Sequence, residues 1–315
     1  MRVKLLISTL LLSVVPMFGG THPAAAQYVQ HNLISDQAGQ APLVDPNLVN
    51  AWGVSRSATS PWWISDTETG RSTLYNVGTA TIPMVVTVPG PNGQQGAPTG
   101  QVRNGGTGFI VNNGLGTSPA RFIFAGEDGT ISGFRGVPVV CCAVDNSASG
   151  AVYKGLAIDS ITDGKFLYAT DFHNARVDVF DSNWAPVHTP EAFVDPKLQK
   201  GFAPFGIQAI QIGNETQIFV TYAKQDEDAQ DDVAGQSLGI VSRFSTDGTF
   251  LGRVATRGQL NAPWGLVLAP ADFGVFSGHL LIGNFGNGEI NAYKMLDNGH
   301  FEYIGPGAKP AADPD

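Results

Sequence analysis

The stretch from Asn261 to Lys294 reads Asn-Ala-Pro-Trp-Gly-Leu-Val-Leu, then a loop, His-Leu-Leu-Ile-Gly-Asn-Phe, a Gly-Asn-Gly turn, and the alternating run Glu-Ile-Asn-Ala-Tyr-Lys. Two apolar runs and one period-2 run, separated by turn residues, predict three short strands. The opening phrase, in which a glycine follows an aromatic, small or polar residue and precedes an aliphatic run, recurs four times upstream. The five glycines, spaced by 47, 55, 51 and 59 residues, are Gly53, Gly100, Gly155, Gly206 and Gly265.

This repeat decides the fold class. A period of about 40–50 residues with about four short strands in each unit is typical of a β-propeller. We therefore predict an all-β fold, a β-propeller with five blades readable in the chain. Glycine in the innermost strands lets neighbouring backbones approach closely at the axis. The aromatic residue beside it can wedge between blades and bury a large apolar area.

The two ends of the chain differ from the repeats. Residues 1–26 have a basic start, an apolar run and a small-residue site near Ala26, which predicts a cleaved signal peptide and a secreted protein. We assign residues 27–304 to one propeller domain and 305–315 to a disordered tail. A strand at 28–35 is expected to close the ring, and residues 27–49 with the tail could form a partial sixth blade.

Composition and charge argue against some classes of partner. The formal net charge is −9, and loss of Arg2 and Lys4 with the signal peptide would make it −11. An acidic surface argues against nucleic acid as a partner. After the signal peptide, no apolar run reaches the ~18–20 residues of a membrane span. Charged residues make up only 14% of the chain, against about 25% in typical domains, which suits a glycine-rich all-β architecture.

Several phrases together resemble a known family. They are Asn50–Gly53, Tyr153–Ala157, Tyr168–Asn174 and Asn261–Gly265. They resemble an uncharacterised family of secreted bacterial NHL-like propellers, some with PEP-CTERM sorting tails, distantly similar to the SMP-30/gluconolactonase and calcium-dependent phosphotriesterase superfamily. The resemblance implies six blades and covers about Leu33 to Tyr303. This chain departs from it by showing only five, so we expect either a truncated six-bladed ring or the partial sixth blade formed by residues 27–49 and the tail.

Polar residues follow the second strand of several units. Asp66, Asp171 and Asn284 occupy comparable places, and Glu68, Glu127, Asp128, His173, Asn174 and Asn287 lie in the same turns. If these turns converge on one mouth of the channel, their oxygens could hold Ca²⁺. The simpler interpretation is that Asp and Asn side chains bond their own turns. The acidic stretch 225–232 is interpreted as a solvated insertion, with a weak surface cation site as the alternative.

Other residue types offer further candidates. His173 lies near carboxylates and is a weak candidate for a general base. Trp52, Trp62 and Trp63 could provide an aromatic platform for sugars, although packing in the core is the alternative use. Cys141 and Cys142 are adjacent, so they form either a strained vicinal disulfide or two small apolar side chains on opposite faces of a strand.

Two functions are compatible with these observations. The first, which we favour, is a secreted binding or scaffold module for a protein or polysaccharide partner. The second, implied by the superfamily resemblance, is a calcium-dependent hydrolase of lactones or phosphoesters with the metal at the channel mouth. The sequence shows no nucleophile–base pair and no other cofactor motif. Convergence of Asp66, Asp171 and Asn284 would favour the hydrolase.

Overall fold

The computed structural model of the protein describes residues 31–76, 81–159, 165–189 and 191–308. The predicted signal peptide lies outside these residues. The described chain begins with two short strands, β1 (Ile34–Ser35) and β2 (Leu43–Val44), which pair in parallel with each other. The strand predicted at 28–35 therefore does not join a blade in its described part. The sequence after Ser35 is rich in turn residues, so the chain loops back and β2 pairs with β1.

The rest of the chain forms five blades in a ring, as predicted. Each blade is an antiparallel sheet whose first strand lies innermost. The first blade contains β3 (Ala51–Ser55), β4 (Trp62–Asp66), β5 (Arg71–Tyr75) and β6 (Thr81–Thr87). The second contains β7 (Pro98–Arg103), then a small hairpin of β8 (Ile110–Asn112) and β9 (Thr117–Pro119), then β10 (Phe122–Gly126), β11 (Thr130–Phe134) and β12 (Cys141–Asp145).

The remaining blades follow the same order. The third has three strands, β13 (Tyr153–Ile158), β14 (Phe166–Asp171) and β15 (Arg176–Asp181). The fourth has β16 (Phe202–Ile212), β17 (Glu215–Lys224), β18 (Ile240–Ser245) and β19 (Phe250–Thr256). The fifth has β20 (Pro263–Leu268), β21 (Leu280–Asn284), β22 (Ile290–Met295) and β23 (Phe301–Ala308). Short 3₁₀ helices lie at Thr67–Thr69, Pro91–Gly93, Ser147–Ser149 and Gly274–Phe276.

The last strand corrects one predicted boundary. β23 continues to Ala308, so residues 305–308 belong to the propeller and not to the tail. Proline is tolerated there because the outermost strand needs no donor on its open side. Gly305, with φ +148°, lies beside an irregularity in the pairing with β22, which lets the strand continue. In the described part of the chain, no helix is long and apolar enough to cross a membrane.

Packing between blades explains the repeated glycines. A Cβ on Gly53 would lie 2.3 Å from the Thr99 carbonyl oxygen, and one on Gly206 would lie 1.9 Å from that of Trp264. Gly100 and Gly155 meet the next inner strand in the same way. Apolar side chains fill each of these four blade boundaries, as Trp63, Leu74 and Val86 do against Phe122, Phe124 and Phe134 of the second blade.

The boundary between the fifth and first blades, which we call the seam, is different. A Cβ on Gly265 would meet no atom of the described residues within 4 Å. Val54 of β3 and Val267 of β20 lie on the strand faces that point toward the seam. They are 52% and 53% exposed. Residues of the N-terminal segment cover part of the first blade, where the Tyr75 hydroxyl donates to Asp45 (2.8 Å). The seam is therefore the least filled boundary of the ring.

Candidate functional site

The strand order defines two rims of the ring. At the upper rim, the inner strands begin and the second strands end, which places Asp66, Asp171 and Asn284 at equivalent positions of the first, third and fifth blades. At the lower rim, the inner strands end and the second strands begin. The three polar residues, which the sequence placed at comparable positions of their units, therefore lie on the same rim.

Asp171 is committed to its own turn. The backbone N–H of Val152 donates to its Oδ1 (3.2 Å), Asn174 Nδ2 donates to its Oδ2 (2.8 Å), and Arg176 lies 3.3 Å from Oδ2. Burial raises the pKa of this carboxyl, and the bonds from Asn174 and Val152 offset part of that rise. The side chain fastens the end of β14 to the start of β13.

Asn284 has the same structural role in the fifth blade. Its Oδ1 accepts a bond from the Asn261 backbone N–H (3.1 Å), and its Nδ2 donates to the Gln259 carbonyl (2.8 Å). In the described residues, no three or more His, Cys, Asp and Glu side chains are grouped so that they could hold a metal ion. The interpretation of these polar residues as turn-forming groups therefore describes Asp171 and Asn284 best.

Asp66 differs from the other two. Its side chain is fully buried, and neither carboxylate oxygen accepts a hydrogen bond of normal geometry from the described part of the chain. Burial raises its pKa to about 8; the neighbouring Thr73 offsets part of the rise, and the charge of Asp45 adds to it. Without a cationic partner, the buried carboxyl is held in its neutral form near pH 7.

This buried acid predicts a pH dependence of stability. The folded-state pKa is raised above the unfolded value of about 3.9, so Asp66 favours folding below about pH 4, and that contribution is lost as pH rises to about 8. The free energy of unfolding should fall by up to about 1.4 kcal/mol per pH unit in that window. Asp66→Asn should remove this slope in urea denaturation, whereas Asp272→Asn, on an exposed loop, should keep it. A wild-type curve that is flat from pH 5 to 8 would contradict the assignment.

Aromatic side chains from four blades meet at the upper rim in what we call the mouth cluster. It consists of Trp52, Phe172, Phe205, Trp264 and Phe285. The Trp52 ring lies 5.4 Å from Trp264 and 4.5 Å from Phe285 between centroids, across the seam. Trp52, one of the predicted sugar platforms, is therefore mainly a packing residue.

A buried cation lies under this cluster. Lys154 is fully buried; its Nζ lies 2.5 Å from Glu127 Oε1, 3.0 Å from Asp231 Oδ1, and 5.3 Å from the centroid of the Trp52 ring. It occupies the position before the repeated glycine, where the other blades have Trp52, Thr99, Phe205 and Trp264. Lys154 is the charged exception in that position, a signal that the sequence offered and that we did not use.

Asp231 also changes the interpretation of the acidic stretch. The segment 225–232 is exposed or half-buried throughout, and in addition it is attached to the ring. The segment closes on itself by a Gln225–Asp232 bridge, and Asp231 pairs with Lys154. Gln225 Nε2 donates to the Phe172 carbonyl (2.7 Å), which anchors the segment over the third blade.

The remaining candidates are His173 at the upper rim and the two cysteines of β12, and the described residues do not combine them into one site. The imidazole of His173 is exposed and makes no hydrogen bond within the described residues, so no general-base partner is in place. Cys141 and Cys142 are free thiols on β12, and their Sγ atoms lie 2.8 Å from the Asn112 carbonyl and 3.4 Å from that of Val144. Burial raises the pKa of both thiols.

Trp62 and Trp63, the other two tryptophans of the predicted sugar platform, lie toward the lower rim. Trp62 is half-buried, and the Arg56 guanidinium covers its ring at 4.8 Å. Trp63 is only 3% exposed and stacks on Phe122 with 4.3 Å between centroids. Its indole N–H is buried and has no hydrogen-bond partner among the described residues. Trp63 lines a cavity of about 860 Å³ between the first and second blades, which we call the interblade pocket.

The interblade pocket has an apolar floor and a polar rim. Its floor includes Trp63, Leu74, Met84, Phe122 and Phe134. Its rim includes Ser57, Ser60, Asn104 and Ser118, with Arg103 and Arg121. Asn104 holds the rim loop in place, because its Nδ2 donates to the Ala120 carbonyl (2.9 Å) and its Oδ1 accepts from the Gly106 N–H (2.9 Å). A concave apolar site with a few convergent polar groups is the usual form of a small-ligand site.

Charge is distributed unevenly around this pocket. Neither Arg103 nor Arg121 makes a side-chain hydrogen bond or ion pair with the described part of the chain. The lower-rim loops 56–61, 104–121 and 135–140 contain three arginines and no aspartate or glutamate, although the whole chain has a net charge of −9. Arginines without a protein carboxylate partner are free to bind one from a ligand. The sequence contained this pattern, but it is visible only when charges are sorted by rim.

Comparisons with known proteins agree with this fold. No family model matches the chain. It is 31% identical over 297 residues to uncharacterized protein R648 of Acanthamoeba polyphaga mimivirus, covering 91% of this chain and 71% of that protein. It is 30% identical over 297 residues to uncharacterized protein L690 of the same virus, covering 91% of this chain and 76% of that protein.

Solved structures show similarity in fold alone. Virginiamycin B lyase from Staphylococcus aureus has a TM-score of 0.52 and 16% identity, over 85% of this chain and 74% of the lyase. A structure with the provisional name of gluconolactonase has a TM-score of 0.43, which is too low to carry an inference. The fold is thus shared with propellers, whereas the predicted membership of a secreted bacterial PEP-CTERM family stays a prediction.

Proposed function

This chain belongs to the protein family that includes R648 and L690 of Acanthamoeba polyphaga mimivirus, and we propose that it is an exported binding module that holds an acidic polysaccharide in the interblade pocket. The observation that carries the proposal is the pair Arg103 and Arg121, whose side chains have no partner among the described residues, beside an aromatic floor. Export follows from the signal-like sequence of residues 1–26.

The chemistry of the pocket selects this ligand class. Guanidinium groups bind carboxylates through paired, charge-assisted hydrogen bonds, which are stronger than neutral ones. The Ser57, Ser60 and Ser118 hydroxyls can bond sugar hydroxyls at the rim, and the apolar floor can accept the carbon face of a sugar ring. A uronic acid residue combines all three features. A volume of about 860 Å³ lies in the range of small-ligand sites.

A binding experiment with charged and neutral probes tests the proposal. An oligogalacturonate should bind, and its methyl ester, which lacks the negative charges, should bind at least about tenfold more weakly. Each of Arg103→Ala and Arg121→Ala should lower the affinity by about tenfold or more, because a hydrogen bond to a charged group contributes ~1.5–3 kcal/mol. Calorimetric titration measures both effects.

Two controls make the result specific. Arg257→Ala removes an exposed arginine at the upper rim, where it donates to Gln199 (3.3 Å), and should leave the affinity unchanged. Chelation of divalent ions should also leave binding unchanged, since the proposed contacts are arginine–carboxylate pairs. Equal binding of the acid and its ester, or no binding of either probe, would refute the proposal.

A further inference from the structure

The third blade lacks a complete outer strand. The other four blades have four strands each in the described chain, whereas the third ends at β15. Residues 185–187 cover only the second half of β15: the Val187 N–H donates to the Val179 carbonyl (2.8 Å), and the Asp181 N–H donates to the Ala185 carbonyl (2.9 Å). The chain then continues toward the fourth blade, where the Phe193 N–H donates to the Gly248 carbonyl (2.8 Å).

The first half of β15 is an open edge. Val177 is two residues from Val179, so its backbone N–H and C=O also face away from β14. Neither group takes part in a hydrogen bond with the described part of the chain. An open row of strand donors and acceptors is a template for pairing with another strand.

A groove of about 680 Å³ runs along this edge, between the third and fourth blades. Val177, Val179, Phe166 and Phe193 form its apolar part. An apolar groove beside a free strand edge can accept the side chains on one face of a docked strand, because side chains of an extended peptide alternate between two faces.

The charges around the groove are mainly acidic. Arg176 lines it, but its guanidinium is bound to Asp178 (2.7 Å) and Asp171 (3.3 Å). Glu191 and Asp247 add two more carboxylates, and His188 is the remaining titratable group on the lining. Glu191 is exposed and makes no ion pair within the described residues. A segment with basic side chains would complement this lining.

We propose that the third blade binds an extended, basic segment of a partner protein, which adds as its fourth strand along Val177. The segment forms backbone hydrogen bonds with Val177, places apolar side chains against Val179 and Phe193, and directs a lysine or arginine toward Glu191 and Asp247. This site is independent of the interblade pocket, which lies between different blades.

Labelled octapeptides test this proposal. The probes are a peptide of alternating lysine and valine, the same peptide with glutamate in place of lysine, and a lysine–valine peptide N-methylated on alternate residues to block its donors. The lysine–valine peptide should bind and slow exchange of the Val177 amide by at least about tenfold. The other two should bind at least about tenfold more weakly.

A charge reversal supplies the matched variant. Glu191→Lys should weaken binding of the lysine–valine peptide by about three- to tenfold and strengthen binding of the glutamate peptide, while circular dichroism reports an unchanged fold. Arg257→Ala, away from the groove, should change neither. Absence of peptide binding, binding without protection of Val177, or equal binding of the N-methylated peptide would each overturn the proposal.

Discussion

Trp52→Ala is expected to lower the free energy of unfolding by about 3–5 kcal/mol, the usual cost of truncating a packed tryptophan. The Trp52 ring is the link from the first blade to the fourth and fifth: it lies 5.8 Å from Phe205, 5.4 Å from Trp264 and 4.5 Å from Phe285. Each such aromatic pair contributes ~0.5–1.5 kcal/mol beyond the buried area. Urea denaturation measures the total loss.

The location of the loss distinguishes this effect from general destabilisation. Hydrogen exchange in Trp52→Ala should accelerate first in β3 and β20, on the two sides of the seam. Trp184→Ala serves as the control, because Trp184 is also half-buried but packs on Phe109 (5.0 Å) of the second blade. It should destabilise the protein without that regional pattern. A loss below about 1 kcal/mol for Trp52→Ala, or identical exchange patterns, would contradict the role of Trp52 in closing the ring.

Lys154→Met is expected to cost about 3–5 kcal/mol at pH 7.5, because it leaves the carboxylate of Glu127 buried without its cation. Burial already raises the pKa of Glu127, and Lys154 lowers it again. Without Lys154, the folded-state pKa must rise further above the unfolded value. Folding is then favoured below the unfolded pKa and progressively opposed as pH rises, so the loss should shrink toward pH 5.

A double variant identifies the cause. Glu127→Gln in the Lys154→Met background removes the unpaired charge and should recover a large part of the stability, since replacing both members of a buried pair is often close to neutral. Guanidinium denaturation at pH 5 and 7.5 gives both comparisons. If the loss in Lys154→Met were independent of pH, or unchanged by Glu127→Gln, lost packing of the lysine stem would explain it instead.

The fold could be predicted because the repeated glycine is a residue that the packing between blades requires. Four of the five glycines lie where a Cβ would collide with the next inner strand, as at Gly206. These four glycines therefore mark the packed blade boundaries in the sequence. The two apolar runs after each glycine became the inner and second strands. Closure of the ring was harder to predict, because Ile34–Ser35 pairs locally with Leu43–Val44 and such a short pairing leaves little pattern.

The candidate site was predicted less well for a physical reason. Asp171 and Asn284 were recognised as equivalent, but bonding to one's own turn and binding a metal use the same residue types. The interblade pocket depends on Arg103, the last residue of β7, and Arg121, the residue before β10, which lie 18 residues apart in the sequence and beside Trp63 of another blade. Only the three-dimensional order of strand ends shows that these arginines share a region without carboxylates.

The looser packing of the described residues beside Gly265 has a consequence for how the molecule unfolds. A ring with five equal boundaries would lose all of its blades together, since each blade would have two neighbours. With the seam held chiefly by side chains of the mouth cluster, the blades couple instead as a row, in which the first and fifth have one strong neighbour each. Nearest-neighbour coupling of this kind gives graded cooperativity, as in repeat arrays. The inner boundaries between the second, third and fourth blades would then be the last to separate.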